Sequence, residues 1–368
     1  MRFTALDVQD FRNMPLASLR IGEGPLFILG GNGRGKTSIL EALGLVSALR
    51  SFRCSDSRAM IRHGTRQARV ICTLEQEREG GLSVDISLRS GGKAVSVDGN
   101  PLDRLADLMG RFPSVPLSSQ DIQLLRAGPQ CRRRFMDMML AGAAPSFFDA
   151  LRRYTRALKE RNSLLRTGAG DAELSAFEQP LSCAAQELVG ARATALAQLA
   201  PLLRETYASM APSSEEPGLA YRPDLPGDSA EGFARSFAES RARDLARGSS
   251  CIGPHLDDFD LLIKGRPARD YASEGQQRGL VLALRLAQSR WLETRTGIVP
   301  VILADDIIGE LDPVRRAAFW DCLDGGSQVI ATGTEAPAGE GARKRFTIVP
   351  IETIIPPGAE GADQHPNP

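Results

Sequence analysis

The segment Gly30–Thr37 limits the fold of this chain more than any other, because it fits the phosphate-binding pattern G-x-x-x-x-G-K-[ST]. It follows the apolar run Leu26–Leu29, which predicts a buried strand, and it opens a predicted helix over 36–50. Glycines and a helix N-terminus direct backbone N–H groups at phosphate oxygens. We predict that Lys36 binds the β- and γ-phosphates of ATP and that Thr37 binds Mg²⁺. The predicted nucleotide-binding residues of this loop are Gly30, Gly31, Asn32, Gly33, Arg34, Gly35, Lys36 and Thr37.

A pair of acids follows a second apolar run. Val301–Ala304 predicts a buried strand, and Asp305 and Asp306 come directly after it. A carboxylate at the end of such a strand can bind Mg²⁺, and the next acid can orient or deprotonate the attacking water. We predict that Asp305 is a metal ligand and that Asp306 is catalytic.

A capped helix is predicted between these two motifs, in the stretch Tyr271–Arg278. Ser273 is a suitable N-cap, and Gly275 allows an anion to approach the helix start. Taken alone, this stretch is better explained as an ordinary capped helix. Its place between the phosphate-binding loop and the acid pair favours a second phosphate contact.

The chain predicts an α/β head interrupted by helices. Strand patterns occupy most of 1–125, helical spacing dominates 126–248, and strand and helix patterns alternate again over 249–355. The middle segment is either an ordinary helical bundle or a short antiparallel arm. Pro180 and Pro201 predict interruptions or ends of its helices, Pro212–Gly227 predicts a loop, and 347–355 predicts a last strand. The Pro- and Gly-rich tail 356–368 is predicted to be disordered.

Composition and charge narrow the setting. Lys and Arg together equal Asp and Glu at 45 each, so a global basic field for nucleic acid is absent. The six cysteines form no C-x-x-C pair, which disfavours a zinc site and suits a reducing cytosol. Neither a signal core nor a membrane-spanning run is visible. We therefore expect a soluble, cytoplasmic protein.

A local basic run is nevertheless present at the start of the helical segment. Few acids offset it, so it could neutralise DNA phosphates without reading bases. A solvated helix face is the alternative. The run consists of Arg126, Arg132, Arg133, Arg134, Arg152, Arg153, Arg156, Lys159, Arg161 and Arg166.

The motifs and their order resemble the RecF family of bacterial recombination-mediator ATPases, within the ABC and SMC-like ATPases. The resemblance covers nearly the whole chain. Besides the phosphate-binding loop, its segments are Asp10–Asn13, Ser51–Arg53, Leu117–Asp121, Arg132–Asp137, Tyr154–Asn162, Gly253–His255, Gly275–Arg278 and Asp305–Asp312. The chain departs from the family pattern at Leu256, Glu274 and Gly309, none of which removes a catalytic group.

This resemblance implies roles for further residues. Gln120 is similar to the Q-loop glutamine that touches Mg²⁺ and the attacking water, and 309–312 is similar to the D-loop. The resemblance also implies that Arg12 contacts the nucleotide and that Arg53 reaches phosphate. The alternative, equally compatible with the sequence, is that both are solvated surface arginines. The signature residues Ser273, Gly275 and Gln276 are implied to bind the γ-phosphate held by a second copy.

The resemblance further implies an ABC-type P-loop ATPase head carrying a short helical arm. Such a protein closes an ATP-dependent homodimer on DNA at single-strand gaps and ss/ds junctions, without reading sequence. Slow hydrolysis releases it, and with RecR and RecO it helps to load RecA in repair, replication and the SOS response.

Three other protein classes compete with this interpretation. A transporter ATPase is disfavoured, because its signature helix would lie much closer to the phosphate-binding loop, whereas here more than 200 residues separate Lys36 from Ser273. Such an ATPase would also carry a switch histidine where this chain has Thr332. An SMC-like clamp needs far longer heptad segments than this chain has. A DNA scaffold with negligible turnover is the third, and Asp306 argues against it.

Overall fold

The computed structural model describes residues 1–54, 56–76, 80–210, 214–227, 229–307, 313–323, 326–337 and 345–356. The predicted D-loop, 309–312, and the tail from 357 onward lie outside these residues. The chain forms two compact units, Met1–Asp121 with Leu292–Pro368, and Ile122–Trp291. The second unit therefore includes 249–291, which the sequence assigned to the head. The domain limits drawn from the sequence stay a prediction.

The first unit contains an antiparallel sheet near the N-terminus. Its strands are β1 (Arg2–Phe11), β2 (Met14–Arg20), β4 (Gln67–Gln76), β5 (Gly80–Arg89), β6 (Gly92–Val97) and β7 (Asn100–Pro101). Their order is β2-β1-β4-β5-β6-β7. The alternating burial of β4 and β5 is the period-two pattern of half-buried strands, with side chains such as Val70, Cys72 and Val84 in the core.

A parallel sheet in the same unit positions the candidate site. It consists of β3 (Leu26–Leu29), β8 (Ser114–Ser118), β12 (Val301–Asp305), β13 (Val329–Gly333) and β14 (Thr347–Pro350), in the order β14-β3-β13-β12-β8. All neighbouring pairs run parallel, so the carboxyl ends of the strands share one edge. The helices α1 (Lys36–Ala48) and α9 (Pro313–Leu323) follow β3 and β12 in the chain.

The predicted last strand is wrong in its second half. β14 ends at Pro350, and α10 (Ile351–Ile354) follows as a single helical turn. Ile351 and Ile354 are both buried, and their spacing of three places them on one face of a helix. A strand would send them to opposite faces of the sheet.

The second unit is mostly helical. It contains α2 (Gln123–Arg126), α3 (Pro129–Ala141), α4 (Pro145–Thr167), α5 (Asp171–Ala208), α6 (Ala230–Arg247), α7 (Ala268–Tyr271) and the start of α8 (Glu274–Thr296). A three-stranded sheet joins β9 (Pro217–Arg222), β10 (Asp258–Ile263) and β11 (Arg266–Pro267) in the order β11-β10-β9. The loop predicted over 212–227 is therefore wrong where β9 pairs with β10.

The predicted interruption of the long helix is also wrong, because α5 continues through Pro180 and Pro201. Both prolines are exposed. The carbonyl that loses its partner in the turn before each proline can therefore bond to water, and burial of Leu181 and Leu188 on the other face holds the helix together.

Buried ion pairs join the elements of the second unit. Arg161 on α4 is fully buried and donates to Glu178 on α5 at 3.0 Å and to Asp244 on α6 at 2.7 Å. Arg132 is buried as well and donates to Asp258 at 2.6 Å. Two members of the predicted basic run are thus internal and cannot contact DNA. Within the described part of the chain, no helix is both long and apolar enough to cross a membrane.

Candidate functional site

The phosphate-binding loop connects β3 to α1 at the carboxyl edge of the parallel sheet. Gly33 and Gly35 adopt left-handed φ angles of 77° and 99°, which non-glycine residues rarely accept. Lys36, the first residue of α1, is only 4% exposed. Its Nζ donates to the carbonyl oxygens of Gly30 at 2.8 Å and Gly31 at 3.0 Å. The ammonium group is therefore held inside the loop.

The acid pair lies beside this loop. Thr37 Oγ1 donates to Asp305 Oδ1 at 3.0 Å, so the two predicted metal ligands are in contact. Thr332, at the end of β13, donates to the same carboxylate oxygen at 2.9 Å and accepts from the Asp306 N–H at 3.2 Å. One buried hydroxyl thus connects both acids. The sequence indicated Thr332 only as the position where a transporter ATPase would carry its switch histidine.

Burial raises the pKa of Asp305 above its ordinary value. The hydrogen bonds from Thr332 and Thr37 oppose this effect, and the charge of Asp306 adds to it. Asp306 itself has a left-handed φ of 52° and faces the cavity described below. An aspartate tolerates this conformation better than most residues.

The oxygens of Thr37 and Asp305 fit Mg²⁺. Mg²⁺ prefers hard oxygen ligands and commonly takes only one or two from the protein, the rest coming from substrate phosphates and water. In the described residues, no group of three or more His, Cys, Asp or Glu side chains could hold a metal ion. The donors present suit a metal that arrives with a phosphate ligand.

Gln120 lies at the same edge of the sheet. β8 pairs with β12 so that Ser118 is the register partner of Asp305, and Gln120 is two residues further on. Its backbone N–H donates to Ser118 Oγ at 3.1 Å, and its side chain is exposed. The structure brings Gln120 to the edge that carries the acids, while its contact with Mg²⁺ stays a prediction.

Arg12 and Arg53 share one buried carboxylate. Glu41 is fully buried on α1, one turn after Thr37. Arg12 Nε donates to it at 2.8 Å, and Arg12 also donates to the Ala59 carbonyl. Arg53 lies at 3.7 Å from the same carboxylate and is 46% exposed. Arg12 is therefore held by protein groups, whereas Arg53 forms only a longer ion pair with Glu41.

A cavity of about 810 Å³ lies at the phosphate-binding loop. Arg12, Arg53 and Lys36 give it positive charge, and Thr37 and Asp306 give it the predicted metal and catalytic groups. Asn13 also lines it, donating to the Gly33 carbonyl at 3.0 Å and accepting from Ser38 at 3.2 Å. Asn13 belongs to the segment Asp10–Asn13 that carries the family resemblance, but it was not predicted as a site residue.

Comparison with known proteins identifies the family. The model of the RecF/RecN/SMC N terminal domain matches residues 2–354. The DNA replication and repair protein RecF of Myxococcus xanthus is 35% identical over 361 residues, which cover 95% of this chain and 94% of that protein. This chain belongs to the RecF family. The RecF of Anaeromyxobacter dehalogenans strain 2CP-C is 37% identical over 330 residues, which cover 86% and 87% of the two chains.

Solved structures agree with RecF membership. The recombination mediator protein RecF with ATP, in the RecFOR pathway, superposes with a TM-score of 0.84 at 28% identity and covers 92% of this chain and 93% of that one. An Smc head bound to a ScpA domain shares the fold, with a TM-score of 0.51 at 14% identity. The predicted ABC-type ATPase head is confirmed.

The segment that the sequence predicted to be the signature loop lies in the second unit, at the start of α8. Gln276 N donates to Ser273 Oγ at 3.3 Å, and Ser273 N donates to Gln276 Oε1 at 2.8 Å. This reciprocal pair is a capping box, which leaves Ser273 exposed and Gly275 half-buried. Glu274 forms ion pairs with Arg278 at 3.2 Å and Arg126 at 3.7 Å. The predicted phosphate contacts of this segment stay a prediction.

Proposed function

We propose that this RecF-family chain is an ATP-dependent DNA-binding recombination mediator, in which slow ATP hydrolysis serves as a switch. One observation carries the proposal: Lys36, the Thr37–Asp305 contact and Asp306 meet at one sheet edge beside a cavity of about 810 Å³. Ligands of parallel α/β sheets bind at the carboxyl ends of the strands. Relatives named for DNA replication and repair, and a relative solved with ATP, support the same function.

Each residue has a distinct task in this proposal. The loop N–H groups and Lys36 bind the phosphates of ATP. The Lys36 ammonium is suited to this task because the carbonyls of Gly30 and Gly31 hold it at the loop. Thr37 and Asp305, with Gln120, are the ligands for Mg²⁺. When bound, Mg²⁺ neutralises phosphate charge. Asp306 orients the attacking water and accepts its proton, and Thr332 holds the carboxylate of Asp305 and the backbone of Asp306.

The cavity borders only one part of the proposed reaction site. Ser273, Gly275 and Gln276 lie at an exposed helix N-terminus, which suits an anion held by a second copy of the chain. ATP then becomes part of a homodimer interface that closes on DNA at gaps and ss/ds junctions. RecR and RecO are the proposed partners, with RecA loading as the outcome; the RecFOR pathway named for the solved relatives supports this assignment.

Oligomeric state tests the proposal. Light scattering on the full chain, with and without ATP–Mg²⁺ and gapped DNA, should show a dimer only with nucleotide. Lys36→Ala should stay monomeric, because the loop loses its only ammonium contact to the phosphates. Lys264→Ala, the same change at an exposed turn of the other unit, should behave as wild type. A wild-type chain that is monomeric under every condition would overturn the dimer mechanism.

Hydrolysis separates this proposal from a scaffold with negligible turnover. Asp306→Asn keeps a residue that accepts the left-handed φ, so the change removes charge without a new backbone strain. We expect this variant to dimerise with ATP and to hydrolyse it at least about 100-fold more slowly. Wild-type turnover in a dimerising variant would show that Asp306 is not the catalytic base.

A further inference from the structure

The basic run of the second unit divides into internal and surface residues. Arg132 and Arg161 are buried in ion pairs, and Arg133 donates to the Asp257 carbonyl at 2.8 Å. Arg153 donates to Glu187 on α5 at 2.6 Å. Four other exposed cations on α4 form no ion pair within the described residues, and we call them the basic stripe: Arg152, Arg156, Lys159 and Arg166.

The basic stripe lies on one face of a continuous helix. Its members follow one another by four, three and seven residues, and at 100° per residue they fall within an arc of about 80°. From Arg152 to Arg166 the helix rises about 21 Å. Tyr154, Arg161 and Leu165 face inward on the opposite side. The stripe is therefore a straight row of charge on a helix that is anchored from behind.

The charges of the stripe are not neutralised by the protein around them. In the described part of the chain, no carboxylate forms an ion pair with Arg152, Arg156, Lys159 or Arg166, although Asp149 and Glu160 lie on the same helix beside the stripe. Arg152 has its guanidinium 5.9 Å from the ring centre of Phe148, a contact that leaves its hydrogen-bond donors available. A row of cations without carboxylate partners can neutralise the phosphates of a polyanion.

We propose that the basic stripe of α4 binds the phosphate backbone of duplex DNA, independently of sequence. The proposal rests on the DNA-binding function proposed above and names a surface for it. A duplex carries one phosphate charge per about 1.7 Å of axis over both strands, so a 21 Å row lies alongside roughly a dozen charges, and those on the facing side of this stiff rod can meet its four cations. Single strands are usually held by stacking on aromatic rings, and the stripe contains none.

Salt-dependent binding of the full chain tests the stripe. The variant R152Q/R156Q/K159Q/R166Q is compared with wild type by fluorescence anisotropy on a blunt duplex, with ATP–Mg²⁺, between 50 and 200 mM salt. Each lost phosphate contact lowers the slope of log K against log salt by about 0.9, so four contacts lower it by up to about 3.6. We expect duplex binding at 100 mM salt to weaken at least about tenfold, while ATP binding and the melting temperature stay unchanged.

The matched control is Arg153→Gln. It removes the same charge one residue from Arg152, but from a side chain already paired with Glu187, so duplex binding should change by less than about twofold. A quadruple variant with the wild-type slope and affinity overturns the stripe alone. Loss of single-strand binding with intact duplex binding overturns the assignment to duplex DNA. A wild-type chain that binds no DNA overturns the proposed function as well.

Discussion

Replacing Thr332 with valine should damage the candidate site without changing its shape. Valine matches the volume of threonine and removes only the hydroxyl. Thr332 is only 1% exposed. Its hydroxyl donates to Asp305 at 2.9 Å and accepts from the Asp306 N–H at 3.2 Å. A hydrogen bond to a charged group is worth about 1.5–3 kcal/mol and a neutral one about 0.5–1.5 kcal/mol. The free energy of unfolding should therefore fall by roughly 2–4 kcal/mol at neutral pH.

The same change should move the pH dependence of hydrolysis. The pKa of Asp305 is already raised by burial, and the Thr332 hydrogen bond opposes that rise. Without this bond the pKa rises further, so the carboxylate needed for Mg²⁺ is lost at a higher pH. The acid limb of the ATPase profile should shift to higher pH, and the melting temperature should drop by on the order of 5–10 °C. Both are measured on the full chain, by phosphate release from pH 5 to 9 and by calorimetry.

Thr332→Ser is the matched control, since it keeps the hydroxyl and loses a methyl group. It should cost about 1 kcal/mol of stability and leave the pH profile where it is. If Thr332→Val shows the wild-type profile, the hydroxyl does not hold Asp305 in the active chain. If serine and valine shift the profile equally, the profile responds to any change of this side chain and not to the hydrogen bond in particular, and the reasoning fails.

Two further predictions concern buried charge in the second unit. Arg161→Leu should lower the free energy of unfolding by about 3–5 kcal/mol, because the buried Asp244 carboxylate loses its arginine and Glu178 keeps only Arg241. Arg156→Leu, on the exposed face, should change it by less than about 0.5 kcal/mol in denaturant titrations. His255 is held between the Tyr154 hydroxyl at 2.7 Å and the Ser250 carbonyl at 3.2 Å, and burial lowers its pKa below 6.5. The unfolded chain then binds this proton more readily, so stability should fall as pH drops below about 6.5; His255→Gln should flatten that fall in melting curves, and an unchanged pH dependence would contradict it.

The parts of the site that are contiguous in sequence could be predicted. The loop 30–37 and the acids Asp305 and Asp306 follow buried strands, and a strand end fixes where its next residues lie. Thr332 could not be assigned in this way. Its contacts depend on β13 lying between β3 and β12, a neighbour relation set by the sheet and not by any local pattern. Glu41 was missed for the same reason, because its partner Arg12 comes from β1–β2.

Local rules failed where packing outweighed them. Proline disfavours a helix interior by about 3 kcal/mol, yet Pro180 and Pro201 lie within α5. The buried face of α5 extends on both sides of each proline, with Leu174, Leu188 and Leu199 in the core. That apolar burial exceeds the local cost, and the exposed position of both prolines keeps the cost small.

Arg161 shows that helix phase, and not charge, decides what an arginine does. It lies seven residues after Tyr154 and four before Leu165, so it occupies the inward phase of α4. Arg156 and Lys159, in the same run of sequence, occupy the outward phase. The inward position is stable only because Glu178 and Asp244 arrive from α5 and α6, and these contacts tie α4 to both helices. The buried arginine therefore anchors the helix whose opposite face carries the basic stripe. Loss of Arg161 should weaken duplex binding, even though Arg161 itself contacts no phosphate.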